Sequence, residues 1–321
     1  MFQYILKRVL HMIPLLLGVS LLTFLLMAIS PGNYFTALQQ NPLVSHETIV
    51  ELEAKFHLDR PWYVQYIFWL KNVFSGYFGY SMAYNIPASS LILERLWNTF
   101  LLAFTALIIV WGIAIPLGIW AAVRKDTWVD RACSLLAFVG LSVPDVLLSL
   151  LAVWFAEATG WFPVGGATSA LHEFMTPWQQ FWDSAHHLIL PAIVLAASDL
   201  AGIMRRMRAC LLDTLRAEYV AAARARGLGE GLVIYKHALR NAINPLLTLF
   251  GYSLAALLSG AVVVENIMAW PGLGQLTIAA FLAKDSYLVV DSVVMATFLL
   301  VVGNFIADLL LAWVDPRIRL R

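Results

Sequence analysis

Six apolar runs, each long enough to cross a lipid bilayer, dominate this chain. A membrane-spanning helix needs about 20 predominantly apolar residues. Of the 321 residues, 61% are hydrophobic and 13% are charged, a balance typical of multispan membrane proteins rather than of soluble domains. We therefore predict an all-α polytopic membrane protein with six transmembrane helices in one domain, residues 1–321. The runs lie at 9–29, 97–123, 132–157, 187–204, 245–266 and 288–314.

The segments that join these runs differ in positive charge. Lys and Arg near the ends of spans are retained in the cytoplasm, and 16 of the 21 basic residues fall in alternate segments. Both termini belong to this basic set, so both are predicted to be cytoplasmic. The set comprises Lys7, Arg8, Arg124, Lys125, Arg131, Arg205, Arg206, Arg208, Arg216, Arg224, Arg226, Lys236, Arg240, Arg317, Arg319 and Arg321.

The first apolar run is interpreted as a retained span. The apolar part of a cleaved signal peptide is about 7–15 residues long, whereas this run extends from Val9 to Ile29. Cys133 and Cys210 lie at a span end and in a basic segment, so neither a disulfide framework nor a Cys-based zinc site is predicted.

The predicted outside loop 30–96 carries signals for two helices. Ser45 precedes apolar residues at helical spacing, and Asp59-Arg60-Pro61 opens a second helix whose aromatic residues suit the membrane surface. Ordinary packing at that surface and contact with a partner protein both stay open. The second helix presents Trp62, Tyr66, Trp69 and Leu70.

A second outside loop, 267–287, is broken by proline and glycine. One short helix can form over 275–283, too short to be a span. We predict that this loop dips back toward the outer surface, where irregular backbone is tolerated only against protein or water. The residues at the break are Trp270, Pro271, Gly272 and Gly274.

The segment 205–244, between the fourth and fifth runs, is charged and rich in alanine. Apolar residues recur at three- and four-residue spacing over 204–219, so we expect the fourth span to continue outward as an amphipathic helix. Basic residues followed by glycine suit a helix end, which we place at Gly227. A second helix is expected from about Glu230, with Gly229 as its N-cap.

Two interpretations of this segment stay open from the pattern alone. It is either a rigid helix that receives force from a soluble partner or a solvated loop that satisfies the charge bias. The alanines at 221–223 would let another backbone approach closely, and a solvated loop would not need the apolar face of the second helix. That face consists of Leu232, Tyr235, Leu239 and Ile243.

The same segment resembles the EAA loop of bacterial ABC importer permeases. Two alanines, three further residues and a glycine form the core of that loop, and here they are Ala222, Ala223 and Gly227. YVAAARARGLG followed by HALRNAINP is similar in particular to the dipeptide and oligopeptide permeases of the DppB/OppB type. The similarity runs the whole length, from KRVLHMIPLLLGVSLLTFLL through AWPGLGQL to DLLLAWVDPRIR.

This chain departs from the family pattern at a few positions. Ala221 stands at the acidic position of the loop, Arg240 replaces a proline, and Gly229 replaces the commoner serine. Outside the loop, Asn33 and Trp97 stand where aspartate and proline are usual. The core of the loop is unchanged.

The resemblance implies a type I ABC importer permease fold and a transport subunit that is not an enzyme. It implies four kinds of partner: a second, similar permease, one or two ABC ATPase subunits, an extracytoplasmic substrate-binding protein and the lipid bilayer of a bacterial or archaeal cytoplasmic membrane. No cofactor, metal or nucleic acid is expected on this chain. ATP and Mg would be used by the ATPase, since no GxxxxGK[ST] phosphate loop is present here. The implied ATPase-coupling residues are Glu218, Tyr219, Ala222, Ala223, Arg224, Gly227, Leu228, Gly229, Leu232, Tyr235 and Leu239.

One carboxyl inside a predicted span is a candidate for the translocation pathway. Asp145 follows Pro144 about halfway along the third run. A charge at the centre of a span costs roughly 2.5–3.5 kcal/mol, so such residues tend to face a cavity. A pathway role and pairing at a helix interface both stay open. We interpret Asp199, Glu265, Asp308, His186 and His187 as interfacial or paired residues.

Peptides are the cargo that the resemblance implies, with nickel chelates and oligosaccharides as alternatives on the same machinery. An ion-coupled secondary transporter is the competing class. It would be expected to show an internal repeat or a chain of intramembrane charges, and neither is evident in the sequence.

Overall fold

A computed structural model describes residues 2–39 and 45–314. Within these ranges the chain is built from helices, and one isolated antiparallel bridge joins Tyr80 to Pro87. A 3-10 turn at His172–Phe174 precedes α8, and a π-helical turn at Val233–Ala238 lies between α10 and α11. The helices are α1 (Phe2–Ile29), α2 (Tyr34–Leu38), α3 (His46–Lys55), α4 (Trp62–Phe74), α5 (Ala88–Val123), α6 (Trp128–Ser142), α7 (Asp145–Thr159), α8 (Pro177–Leu215), α9 (Glu218–Ala225), α10 (Glu230–Leu232), α11 (Leu239–Ala242), α12 (Asn244–Ile267), α13 (Leu273–Leu282) and α14 (Ser286–Val314).

Four to six membrane spans follow from the length and composition of the described helices. Four stretches qualify alone, and two bent helix pairs qualify if each is counted as one span. The basic residues Arg317, Arg319 and Arg321, which support the predicted side of the C-terminus, lie outside the described residues. The four stretches are Leu10–Thr36, Ala88–Val123, Pro177–Leu215 and Ser286–Ile306; the bent pairs are Trp128–Ser142 with Asp145–Thr159, and Asn244–Phe250 with Tyr252–Ile267.

The third apolar run is not the continuous helix that we predicted. α6 and α7 meet at 104°, and Val143 between them is extended, with φ −85° and ψ 120°. Pro144 explains the break, because proline disfavours helical backbone at the preceding residue and has no N–H to donate. Asp145 therefore opens α7 at a bend instead of lying in the middle of a straight span.

The chain divides into two compact units. One comprises Met1–Thr99 and Pro271–Val301, and the other Phe100–Trp270 and the chain from Val302 onward. α5 and α14 each contribute residues to both units. The prediction of one membrane domain over residues 1–321 is not tested by this division and stays a prediction.

In the first unit, α4 packs on α1 and α14. Phe24, Trp69 and Val290 form a small buried cluster, and Tyr66 Oη lies 3.0 Å from Ser20 Oγ. The Trp69 indole donates a hydrogen bond of 2.7 Å to the buried carboxylate of Asp291. Trp69 is therefore buried within the unit, and its N–H bonds a buried carboxylate rather than the water that an interfacial tryptophan would reach; its position relative to the membrane surface stays a prediction. The two predicted helices of the outside loop are confirmed as α3 and α4.

The loop after α12 leads into the short helix α13, one face of which, with Leu273, Leu276 and Ala280, is buried in the first unit. Leu273 and Leu276 of α13 pack with Ile92 of α5 in one hydrophobic cluster. α5 also fixes the irregular backbone before α13: the Asn98 side-chain amide donates to Pro271 O at 2.9 Å, and Thr99 Oγ1 accepts from Leu273 N at 2.8 Å. The backbone at the predicted break is thus held against protein.

In the second unit, α8 is the central helix, and α6, α7, α11 and α12 pack on it. Glycines allow close approach: a Cβ on Gly118 of α5 would lie 2.7 Å from Met204 O and from Met207 Cβ. Near the α5–α6 turn, Arg208 of α8 donates two hydrogen bonds to the buried Asp130 carboxylate, at 2.5 and 2.7 Å. These contacts fix the end of α8 that leads into the basic segment.

Candidate functional site

The segment between α8 and α12, residues 205–244, is called the basic connection below. It carries eight of the 21 basic residues of the chain. It consists of the last turns of α8, the helices α9, α10 and α11, and the π-helical turn. The basic connection is therefore a folded structure and not an irregular loop.

α9 is not the continuation of α8 that the apolar spacing predicted. α8 ends at Leu215, and Ala217 is extended, with φ −68° and ψ 146°, before α9 begins at Glu218. At this end of α8, Ala217 N donates a 3-10-type hydrogen bond to Thr214 O, at 3.0 Å. Such tightening ends an α-helix.

This break changes which face of α9 is buried. Val220 and Ala223 are buried, whereas Tyr219, which continues the spacing of α8, is exposed. Ala222 is exposed as well, so Ala223 is the member of the predicted alanine pair that lies against the protein. Tyr219 is nevertheless fixed, because its hydroxyl oxygen accepts a hydrogen bond of 2.8 Å from the Asn241 side-chain amide.

A corner at Gly227 to Gly229 separates α9 from α10. Gly227 has φ +79°, and no atom lies within 4 Å of the position that a Cβ would take. The left-handed backbone, and not lack of space, therefore requires glycine. Gly229 is the N-cap of α10, and its carbonyl accepts from Leu232 N at 2.9 Å. The predicted helix end at Gly227 and N-cap at Gly229 are confirmed.

Arg224 and Glu230 are paired across this corner. Arg224 Nε donates to Glu230 Oε1 at 2.7 Å, and Nη2 donates to Oε2 at 3.3 Å. The hydrogen bond from Arg224 lowers the pKa of the Glu230 carboxyl and raises the pKa of the Arg224 guanidinium. Arg224 Nη1 also reaches the carbonyl of Leu215 at 3.5 Å. One side chain thus links α8, α9 and α10.

The sequence analysis places Arg224 in the last turn of a helix and among the implied coupling residues, but it does not predict the pairing with Glu230. The available signal was the pair of opposite charges that flank the glycine corner at positions 224 and 230. The spacing of six residues is not one of the helical spacings that bring side chains together. The two side chains meet because the chain turns at the glycine corner between them.

The π-helical turn sets which side chains between α10 and α11 point outward. Val233 and Ala238 are both fully buried, a five-residue spacing that matches the π-helical hydrogen-bond pattern. The predicted apolar face is largely accessible: Leu232 and Tyr235 are 44% and 63% exposed, and Leu239 is half-buried. The α-helical spacing did not indicate the inward-facing residues Val233 and Ala238.

The exposed surface of the corner combines apolar and basic side chains. A patch of this kind, outside the apolar helices, is typical of a protein-interaction site. Its fixed backbone would keep the cost of ordering on binding low. The apolar members are Tyr219, Leu228, Leu232 and Tyr235, and the basic members are Arg226, Lys236 and Arg240.

The candidate pathway residues lie at the α6–α7 bend. Pro144 is the N-cap of α7, and Asp145, the first residue of α7, is half-exposed. Asp199 of α8 interacts electrostatically with Asp145 and with Arg206. Two carboxylates and one guanidinium thus gather near this bend, and the role of Asp145 in transport stays a prediction.

The remaining singled-out polar residues are held by protein contacts. His186 Nε2 lies 2.7 Å from Trp161 O, and His187 Nδ1 lies 2.8 Å from Asp183 O, so the adjacent histidines diverge as expected on a helix. Glu265 is fully buried, and both Glu265 and Asp308 make polar or electrostatic contacts. At the predicted break before α13, Trp270, Gly272 and Gly274 are buried.

The fold and this corner define a multispan α-helical membrane protein with a structured, exposed connection between two of its apolar helices. Residues 114–320 match the family described as "Binding-protein-dependent transport system inner membrane component". Residues 1–103 match its N-terminal counterpart, "Binding-prot-dependent transport system membrane comp, N-term". The chain belongs to this family of inner-membrane transport components.

Similar proteins cover the whole length of the chain. It is 40% identical over 320 residues to the oligopeptide transport system permease protein AppB of Bacillus subtilis, with 99% of each chain covered. It is 34% identical over 337 residues to the dipeptide transport system permease protein DppB of Alkalihalophilus pseudofirmus, covering 99% of this chain and 100% of that protein. The resemblance to dipeptide and oligopeptide permeases is confirmed.

Proposed function

We propose that this chain is the transmembrane permease subunit of an ATP-driven ABC importer and forms half of a pathway for peptides. The observation that carries the proposal is the exposed corner, fixed by Arg224 and Glu230, in a member of this transport family. Peptide cargo is supported by the relatives, which are named oligopeptide and dipeptide transport system permeases. Nickel chelates and oligosaccharides are the alternative cargo for the same machinery.

The proposed topology has six spans, with each bent pair counted as one. Both termini and the basic connection lie in the cytoplasm of a bacterial or archaeal cell, and α3 and α4 lie outside. The distribution of Lys and Arg supports this orientation. The other half of the pathway belongs to a second permease, and an extracytoplasmic binding protein delivers the cargo.

The corner is proposed to dock in a groove on a separate ABC ATPase subunit, which uses ATP and Mg. Leu232 and Tyr235 are exposed at this corner and suit an apolar groove, while the basic residues around them suit an acidic rim. Movement of the docked corner reaches α8 through the contact from Arg224 to Leu215 and reaches α9 through Tyr219.

Asp145 is proposed to line the pathway and to meet cationic groups of the cargo, such as a peptide amino terminus. Its half-exposed position at the α6–α7 bend supports this role. Uptake of cationic and neutral peptides by Asp145→Asn tests it. A loss restricted to cationic peptides is expected, and equal uptake of both by the variant contradicts the pathway role.

The test of coupling is substitution at the glycine corner in the assembled complex. Gly227→Val forces a β-branched residue into the left-handed region, which costs of order 1–3 kcal/mol, and should release the ATPase or uncouple ATP hydrolysis from peptide uptake. Gly231→Ala is the matched control, since Gly231 lies in α10 with no atom near its Cβ position and no positive φ. Copurification and peptide-stimulated ATP hydrolysis are the measurements.

One outcome would contradict the proposed class. If the purified chain alone, reconstituted in vesicles, moved peptide down an ion gradient without an ATPase subunit, it would be a secondary transporter. If both Gly227→Val and Gly231→Ala lose coupling, the whole basic connection is sensitive to substitution. That result would not support a specific role of the left-handed backbone at Gly227 in coupling.

A further inference from the structure

The first unit contains a cavity of about 570 Å³ that the proposed function leaves unused. It lies between the end of α3, the middle of α4 and the turn at 77–85, with Tyr287 of α14 in its wall. Cavities of roughly 300–1,000 Å³ hold small ligands in proteins. This cavity therefore has the size of a binding site for a small molecule or for part of a peptide.

The wall of the cavity is aromatic, and its rings are fixed. Trp69 is held by its hydrogen bond to Asp291, and the Tyr287 hydroxyl donates to Phe56 O at 2.9 Å. The His57 ring stacks on Phe68, with centroids 4.5 Å apart and planes 13° from parallel. Rings that are already held in place lose little freedom when a ligand binds.

The charge of the lining has one sign. Lys55 contributes an ammonium group, and the lining residues include no Asp or Glu. Asp59, which interacts electrostatically with Tyr287, is not a lining residue and is paired with Arg60 at 3.3 Å. The cavity therefore favours a ligand that carries both an anionic group and an apolar group.

Two lining residues adopt backbone conformations that are rare for residues other than glycine. His57 and Asn85 both have φ +56°. Left-handed residues other than glycine are found at ligand sites more often than elsewhere, and the chain has three more of them, Asp126, Ala269 and Lys284, outside this cavity. Asn72 and Asn85 also line the cavity, and the side-chain amide of asparagine both donates and accepts hydrogen bonds, as recognition of a peptide backbone requires.

We propose that this cavity binds the C-terminal residue of a peptide that has an apolar or aromatic side chain. The free α-carboxylate pairs with Lys55, and the side chain lies against Phe68, Trp69 and Tyr287. This inference rests on the proposed function, because it makes the cavity a recognition site for imported peptides. It adds a preference to that function: a free carboxyl end next to an apolar side chain.

Photo-cross-linking tests the location of binding without relying on transport. The probe is Ala-Ala-benzoylphenylalanine, added to the full chain in lipid nanodiscs, and mass spectrometry identifies the labelled segment. Label is expected on α4 or the turn at 77–85. Unlabelled Ala-Ala-Phe should compete, while Ala-Ala-Phe amide, which lacks the carboxylate, should compete about tenfold more weakly, as expected for loss of one charge-assisted hydrogen bond.

Lys55→Gln should lower the labelling affinity about tenfold by removing the same contact. Lys71→Gln is the matched control, because Lys71 is an exposed lysine on α4 that does not line the cavity. Since both lysines are exposed, neither substitution removes a buried contact, and thermal unfolding of both variants should match that of the parent chain. Equal labelling of the two variants would overturn the role of Lys55.

Two further outcomes would overturn the proposal. Label confined to segments outside the cavity would show that peptides do not bind there. Competition by decanoate equal to that by Ala-Ala-Phe would assign the cavity to fatty acids. If the assembled complex takes up peptides with equal efficiency in the parent and in Lys55→Gln, this inference fails and the proposed function stands. If no peptide is taken up by the parent complex, the proposed function fails.

Discussion

Arg224 holds Glu230 by two hydrogen bonds across a corner that begins at Gly227, with Nε–Oε1 and Nη2–Oε2 distances of 2.7 and 3.3 Å. The pair joins two helices that sequence periodicity alone would leave unrelated. The contact is exposed, and it adds to the anchoring of the flanking elements by the buried residues Val220 and Val233.

Acid should loosen the corner. The pKa of Glu230 is lowered by Arg224 from its ordinary value of 4.5, so the folded corner favours the ionised carboxyl. The resulting stabilisation is complete above pH 4.5 and is lost as the pH falls through the lowered pKa. Hydrogen exchange of residues 224–232, measured against pH, should show lost protection in acid. In Glu230→Gln, protection should be lower at neutral pH and should not change further in acid.

Exposed and buried residues of the π-helical turn should respond differently to substitution by alanine. Tyr235→Ala removes an exposed ring, so the unfolding temperature should be unchanged, whereas affinity for the ATPase should fall by about 2 kcal/mol, typical of an interface hot spot. Val233→Ala removes buried methyl groups and should lower stability by about 1–2 kcal/mol. Thermal unfolding and ATPase copurification measure the two effects. A loss of stability in Tyr235→Ala would contradict this division.

The approach of α5 to α8 should tolerate no side chain at Gly118. A Cβ there would lie 2.7 Å from Met204 O, a backbone atom that cannot rotate away. Gly118→Ala should therefore destabilise the protein by about 1–3 kcal/mol, as overpacked cores do. Gly112→Ala on the same helix is the control, because no atom lies within 4 Å of its Cβ position. Equal thermal unfolding of the two variants would contradict the close approach.

Removing one partner of the Asp130–Arg208 pair should be costly. Asp130 is buried, and the Arg208 side chain is 28% exposed, so Asp130→Ala leaves a charge that water reaches only partly. We expect a loss of about 1–3 kcal/mol, below the 3–5 kcal/mol typical of fully buried pairs. Lys125→Ala breaks an exposed pair with Asp126 and should change stability by less than about 1 kcal/mol. Chemical unfolding in detergent gives both values.

Much of the candidate site could be predicted from the sequence, because its boundaries depend on local chemistry. A left-handed turn requires glycine at 227, and Gly229 caps the next helix whatever surrounds it. The residues that turn inward, Val220, Val233 and Ala238, could not be predicted. The break at Ala217 and the π-helical turn at 233–238 each change the phase of the helix, and α-helical periodicity assumes that no such change occurs.

The sequence by itself determined that the chain is helical and built for lipid, because apolar runs of this length leave the backbone no other way to pair its polar groups. It also determined where the corner lies. Only the tertiary structure decided the bend at Pro144, the burial of Trp69 and the aromatic cavity. Trp69 and its acceptor Asp291 are 222 residues apart, and contacts at that separation depend on how the helices pack and not on the properties of either segment alone.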